Sequence, residues 1–215
     1  MIRTGVVLFA CVWVIGLNGV AQAQEPPARI GPYVVDVRGT IPAFRSDPEL
    51  AQSRSLSQAE LPGSGFGGSL GVHVYLPRVG PISIGVGGEA TVARSHSTPI
   101  PTTDNTLRPV TETFKSVAPQ ISLNFRGGNG WSYLSVGVGR ARWSVVPDGA
   151  DPQQPDTELL GVLDYGGGAR WFIKKHLAFS LDVRLHEIKQ GAPQVDRPGS
   201  PHTILLVIGA GVSVR

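Results

Sequence analysis

The residues able to do chemistry in this chain are spread thinly and at regular spacing. Asp36, Arg38, His73, Glu89, Asp164, Arg170, Asp182, Arg184 and His186 alternate with apolar or small neighbours. On an extended backbone their side chains therefore leave on the face opposite the apolar ones. Charges of both signs on one enclosed face must pair and be hydrogen-bonded, so these nine predict a structural ion-pair network rather than acid–base catalysis. His96-Ser97 and His202-Thr203 place an imidazole beside a hydroxyl, the ingredients of a nucleophilic site, but both pairs fall in segments that read as loops, where strand geometry cannot align them. Asp148, Asp151 and Asp156 gather on one loop and are expected as solvated turn formers rather than a cation site. Neither Gly85, Gly87 and Gly88 nor Gly166, Gly167 and Gly168 lead into a helix, as a phosphate-cradling loop requires. No catalytic, cofactor-binding or metal site is expected, and the chain is not expected to be an enzyme.

The elements that carry these residues read as strands of about ten residues with period-two alternation. In the clearest, Leu177, Phe179, Leu181, Val183 and Leu185 point one way and Ala178, Ser180, Asp182, Arg184 and His186 the other. The same test opposes Ile121, Leu123 and Phe125 to Gln120, Ser122 and Asn124, and Leu70, Val72 and Val74 to Gly71, His73 and Tyr75. Eight such segments follow one another. The fifth runs Leu134, Val136, Val138 and then Arg140, which would put a guanidinium among apolar side chains. A β-bulge near Gly139 is predicted to turn Arg140 and Arg142 to the polar face and Trp143 to the apolar one. Aromatic residues then fall at both interfaces, Tyr33, Phe125, Trp131 and Trp171 beside the short turns and Phe66, Phe114 and Trp143 beside the long connections, as two girdles.

Composition agrees with a solvent other than water. The chain has 28 Gly, 18 Pro and only 16% charged residues, with no apolar run beyond residue 23 long enough for a membrane-spanning helix. The net charge of +3 is scattered, which argues against nucleic acid as a partner. Residues 1–23 read as a cleavable signal peptide: Arg3, an apolar run from residue 5 to 20, and Ala21-Gln22-Ala23 as the processing site. Cys11, the single cysteine, lies in that run, so no disulfide is expected. Residues 24–31 form a short N-terminal segment and residues 32–215 one domain.

Connection lengths alternate. Pro77 to Gly80, Gly127 to Gly130 and Lys174 to His176 are tight turns, whereas residues 42–65, 95–113, 146–156 and 190–202 are long and rich in Pro, Ser, Asp and Gln. In an up-and-down meander this puts every long loop at one end and every short turn at the other. The expected fold is all-β: an eight-stranded antiparallel up-and-down transmembrane β-barrel with short periplasmic turns and four longer extracellular loops. Its interior is just wide enough for side chains to fill, so no open pore is expected.

The stretch 166–189, GGGARWFIKKHLAFSLDVRLHEIK, resembles the penultimate hairpin of the small OmpA-like or OmpX-like outer-membrane β-barrel domains. The resemblance covers the architecture of residues 30–215 and is specific across that hairpin. It implies a fold, the outer membrane of a Gram-negative-type bacterium, and as partners outer-membrane lipid, lipopolysaccharide, the outer-membrane assembly machinery and an unknown extracellular partner of the loops. Among barrels of this size the lipid A deacylase type resembles a hydrolase with a His-x-Ser pair on one strand, and none of the five histidines here has Ser two places on. The chain ends Val212-Ser213-Val214-Arg215, without the terminal aromatic usual in such barrels. A structural, adhesive or protective role is expected. The alternatives are a soluble lipocalin-like cup, which should be apolar inside, and a lipid-modifying barrel enzyme or narrow channel.

Overall fold

Strand-forming residues at every second position, bounded by Gly, Pro and polar turn formers, produce eight strands in the computed structural model, which describes residues 30–76, 82–99, 107–127, 129–152, 156–193 and 198–215. They are β1 (Tyr33–Ala43), β2 (Phe66–Tyr75), β3 (Ile82–His96), β4 (Val110–Gly127), β5 (Gly130–Pro147), β6 (Thr157–Lys174), β7 (Leu177–Ile188) and β8 (Thr203–Val214). Each pairs antiparallel with the next, and β8 closes on β1 from Val35↔Val214 to Ala43↔Leu206. A closed barrel leaves no unpaired edge.

The pleat sorts the side chains. Val37, Ile121, Leu134 and Leu181 are 54%, 56%, 59% and 41% exposed on the outer wall, whereas Asp36, Arg170, Arg184 and Asp182 are 5% exposed or less inside. This polarity is the reverse of a ligand-binding cup, so the lipocalin-like reading is not favoured.

Gly127 pairs with Gly130, and Lys174 with Leu177, so each turn spans two residues. Residues 77–81, which hold the third expected turn, and the expected signal peptide lie outside the described residues. Residues 44–65, 97–109, 148–156 and 189–202 connect strands at the opposite end.

Three features differ from expectation. β5 has no bulge: its pairing with β4 keeps one register from Val110↔Pro147 to Gly127↔Gly130. Arg140 and Arg142 therefore face outward and are exposed, while Trp143, expected in the outer girdle, is inside and 3% exposed. The reason is length. At 18 residues, about 60 Å of extended chain, β5 outruns any apolar band, so its upper arginines need no bulge to escape hydrocarbon. Phe114 and Trp131, also expected outside, are 0% and 2% exposed. Tyr33 and Trp171 do lie on the outer wall, with Phe125 half-buried there.

The third difference is the first long connection, which is folded. Asp47 accepts from the Glu49 N–H at 2.8 Å and Pro48 occupies the first turn of α1 (Pro48–Ser53), a strong start signal for a short helix. A 3-10 turn follows at Gln58–Glu60, closed by a capping box between Ser57 and Glu60. Leu50 and Ala51 of α1 enter the barrel mouth and pack with Phe44, Leu61, Phe114, Trp143, Val145, Ile188 and Leu205. The core is thus the upper half of the lumen.

Candidate functional site

Below this apolar plug the lumen is charged, and the inward parity of four strands, β1, β3, β6 and β7, brings the expected ion pairs together. Arg170 on β6 holds Asp36 on β1 with a two-point grip, Nε to Oδ1 at 2.8 Å and Nη2 to Oδ2 at 2.6 Å. The Ser213 hydroxyl donates to the same carboxylate. Arg38 also reaches Asp36, at 2.9 Å, and donates to Glu89 at 3.1 Å and to the Tyr133 hydroxyl at 2.9 Å. Tyr133 in turn donates to Asp182 at 2.5 Å. Arg184 donates to Asp182 at 3.1 and 3.2 Å and to Asp164 at 2.7 Å, and lies 3.1 Å from Glu89. Gln120 donates to Asp164 at 3.1 Å.

Two-point guanidinium–carboxylate contacts fix angle as well as distance, and the web ties β1, β3, β4, β5, β6, β7 and β8 across the axis. Tyr133 is its central spacer. It pairs with Gly168, where an added Cβ would sit 2.7 Å from the Tyr133 hydroxyl oxygen and 2.2 Å from the Leu181 carbonyl oxygen. Only a residue without a side chain leaves the phenol this close to the wall. The Arg170 guanidinium carbon lies 4.0 Å from the Tyr133 ring centroid, a cation–π contact.

His73 and His186 are buried but peripheral to this web. His186 packs against the Phe114 ring, with centroids 5.1 Å apart, and its Nδ1 lies 3.7 Å from Asp164. His73 lies against Gly87, where a Cβ would meet its ring carbon at 2.9 Å. Among the described residues no group hydrogen-bonds to a ring nitrogen of either.

At the mouth, the Trp143 indole N–H donates to Glu112 at 2.7 Å, next to Phe44, Ile188 and Leu205. α1 is fastened by Arg54, which donates to Glu158 at 3.1 Å and to Ser200 at 2.6 Å. The 3-10 turn is fastened by Glu60, which accepts from the backbone N–H groups of Ser57 at 2.6 Å and Arg108 at 2.8 Å. Burial raises the Glu60 pKa, but these donors and the Arg108 guanidinium outweigh it and hold the carboxyl below its ordinary 4.5.

The hydroxyl–imidazole pairs do not assemble as catalytic pairs. Ser97 donates to the Glu60 carbonyl at 2.6 Å and accepts from the Val110 N–H at 2.9 Å. His96 instead faces Thr111 at 3.3 Å, and Thr111 donates to Asp148 at 3.0 Å. His202 faces Glu187 at 3.0 Å. Among the described residues no three His, Cys, Asp or Glu side chains are grouped to hold a metal ion.

Sequence reasoning missed the roles of Tyr133, Glu112, Arg54 and Glu158. Tyr133 and Glu112 carried a signal, the inward parity of their strands. Arg54 and Ser200 lie in connections, where no period marks direction.

A closed, plugged, eight-stranded antiparallel barrel with an apolar wall and an ion-paired lumen is the architecture of small outer-membrane barrels. The crystal structure of Neisserial surface protein A (NspA) matches it with a TM-score of 0.54 at 15% identity, over 86% of this chain and 97% of that one. Ail, the attachment invasion locus protein of Yersinia pestis, matches with a TM-score of 0.46 at 14% identity, over 84% and 97%. The outer membrane enzyme PagL matches with a TM-score of 0.44 at 13% identity, over 85% and 99%. No protein-family model matches the chain, and no curated protein sequence matches it.

Proposed function

We propose that this chain is a non-enzymatic integral protein of the outer membrane, exported by a cleaved signal peptide, with a structural, adhesive or protective role carried by its long-loop face. The observation that carries the reading is the polarity of the wall. Side chains such as Val138 and Leu134, 66% and 59% exposed, would be a large liability in water and match hydrocarbon. Sorting of long and short connections to opposite ends, and the fold shared with NspA, support the same placement. The filled lumen argues against conduction, since the apolar plug and the guanidinium web occupy the axis in series. The engagement of Ser97 by the Glu60 carbonyl and the Val110 N–H, away from His96, argues against hydrolysis.

The test is detergent extraction of membranes followed by gel migration with and without boiling. A different apparent mass for the unboiled sample supports a closed barrel held in the membrane. Recovery in the soluble periplasmic fraction without such a shift overturns the reading. Turnover of labelled lipopolysaccharide, or unitary conductance in planar bilayers, would overturn its non-enzymatic and non-conducting parts.

A further inference from the structure

The unbulged β5 leaves a cluster of cations on the outer wall. Lys115 and Arg142 lie directly opposite one another on β4 and β5, both outward and exposed. Like charges at a cross-strand position repel. Arg94, paired with Thr113, stands diagonally beside Lys115, and Arg140, paired with Gly161, stands two residues from Arg142. The stem of Lys189 lies over Gly161, with its Cδ 3.1 Å from where a Cβ would be. All five are exposed.

Nearby acids are committed elsewhere. Glu112 and Glu158 face inward to Trp143 and Arg54, Glu187 holds His202, and Asp148 holds Thr111. Among the described residues no carboxylate forms an ion pair with Arg94, Lys115, Arg140, Arg142 or Lys189.

Position and asymmetry identify what fits. Phe125 marks the short-turn side of the apolar band on β4. Lys115 lies ten residues further along, about 25 Å higher at ordinary strand rise and tilt. That is the far edge of the hydrocarbon. Immediately below the cations the wall is apolar, with Val117 60% and Val138 66% exposed. The outward faces of β8 and β1 carry Ile208 and Ile41 and no charged residue within the strands, whereas Phe66 and Leu70 of β2 border the patch, Phe66 paired directly with Arg94. The patch is therefore one-sided and amphipathic: cations above, a greasy stripe beneath.

We propose that the outer wall from β3 to β6, with Lys189 laid over it, binds one phosphorylated glycolipid of the outer leaflet, a lipid A headgroup. Arg94, Lys115 and Arg142 grip one phosphate, Arg140 and Lys189 a second, and the acyl chains lie on Val117 and Val138. Charge-assisted contacts to phosphate oxygens suit this donor set, and the stems of Arg140 and Lys189 can lie along the wall while their heads reach the phosphates. The inference rests on the outer-membrane reading.

The test reconstitutes the folded protein in phosphatidylcholine nanodiscs containing diphosphorylated lipid A, dephosphorylated lipid A or phosphatidylglycerol, and counts retained lipids by native mass spectrometry. Insertion into pure phosphatidylcholine discs checks the membrane reading by itself, and failure there sinks that reading rather than the lipid site. Diphosphorylated lipid A is expected to be retained about tenfold or more over either alternative. The double variant Lys115→Gln/Arg142→Gln should lose that preference while keeping its unboiled gel shift, and Lys174→Gln/Lys175→Gln at the other end should keep both. Equal retention of all three lipids, or an undiminished preference in the Lys115/Arg142 variant, overturns the proposal. A phosphatidylglycerol preference matching that for lipid A does so as well.

Discussion

Asp36 meets two guanidiniums at once, Arg170 at 2.6 Å and Arg38 at 2.9 Å, with no exposure to solvent. Buried pairs of this kind add little net stability, but breaking one strands a desolvated charge. Asp36→Asn keeps the volume and removes the charge, leaving Arg170 without a carboxylate partner. It should cost about 3–5 kcal/mol, read as a lower urea midpoint for the refolded barrel in detergent; an unchanged midpoint would mean that the lumen charges are dispensable. Glu60 is the corresponding residue in the cap. Its pKa is lowered on folding from the ordinary value of 4.5, so its contribution is fully present above that value and is lost as pH falls through the lower folded one. Protection of the Ser57 and Arg108 amides, whose N–H groups it accepts, measured as exchange against the intrinsic rate at each pH, should therefore fall on acidification below about pH 4 and stay level between about pH 6 and 8. The nine inward charged and histidine positions were legible from alternation alone because parity is fixed by the pleat. Their partners were not, because Arg170 and Asp36 lie 134 residues apart and only barrel closure brings them together.

At the scale of elements, α1 shows what the period-two signal leaves out. Its six residues carry only two apolar contacts, Leu50 and Ala51, too few to register as an amphipathic pattern, although Asp47-Pro48 was a start signal in plain view. The helix is held by packing into the mouth and by the Arg54 latch to Glu158 and Ser200. Leu50→Asp puts an unpaired carboxylate among Phe114, Trp143 and Ile188, an expense of several kcal/mol that α1 avoids by leaving the mouth. Limited proteolysis within residues 44–65 should become rapid while the unboiled gel shift persists. Continued resistance to cleavage would show that the latch, not the plug, orders this connection. β5 was misread for a related reason. The bulge at Gly139 was inferred by assuming that hydrocarbon extends the whole length of the strand, and parity then forced Trp143 outward. With 18 residues in each of β4, β5 and β6, the upper part of these strands, from Arg140 onward in β5, stands clear of the apolar band, so Arg140 and Arg142 face out without penalty and Trp143 joins the plug.

For the whole molecule, two solvents act on one wall. The interior is sorted into an ion-paired lower half and an apolar upper half, while the exterior is an apolar band crowned on one side by Arg94, Lys115, Arg140, Arg142 and Lys189. Strand number, closure and the sorting of loops followed from connection lengths. The division of the lumen and the one-sided cations did not, because both depend on how far each strand extends beyond the membrane. The most direct measurement of the central claim, that the outer wall meets acyl chains, is fluorescence quenching by brominated phosphatidylcholine in single-tryptophan variants of the reconstituted barrel. Trp171, 48% exposed on the outer wall, should be strongly quenched, and Trp143 and Trp131, at 3% and 2% inside, should be spared. Equal quenching of all three, or stronger quenching of Trp143 than of Trp171, would contradict the account.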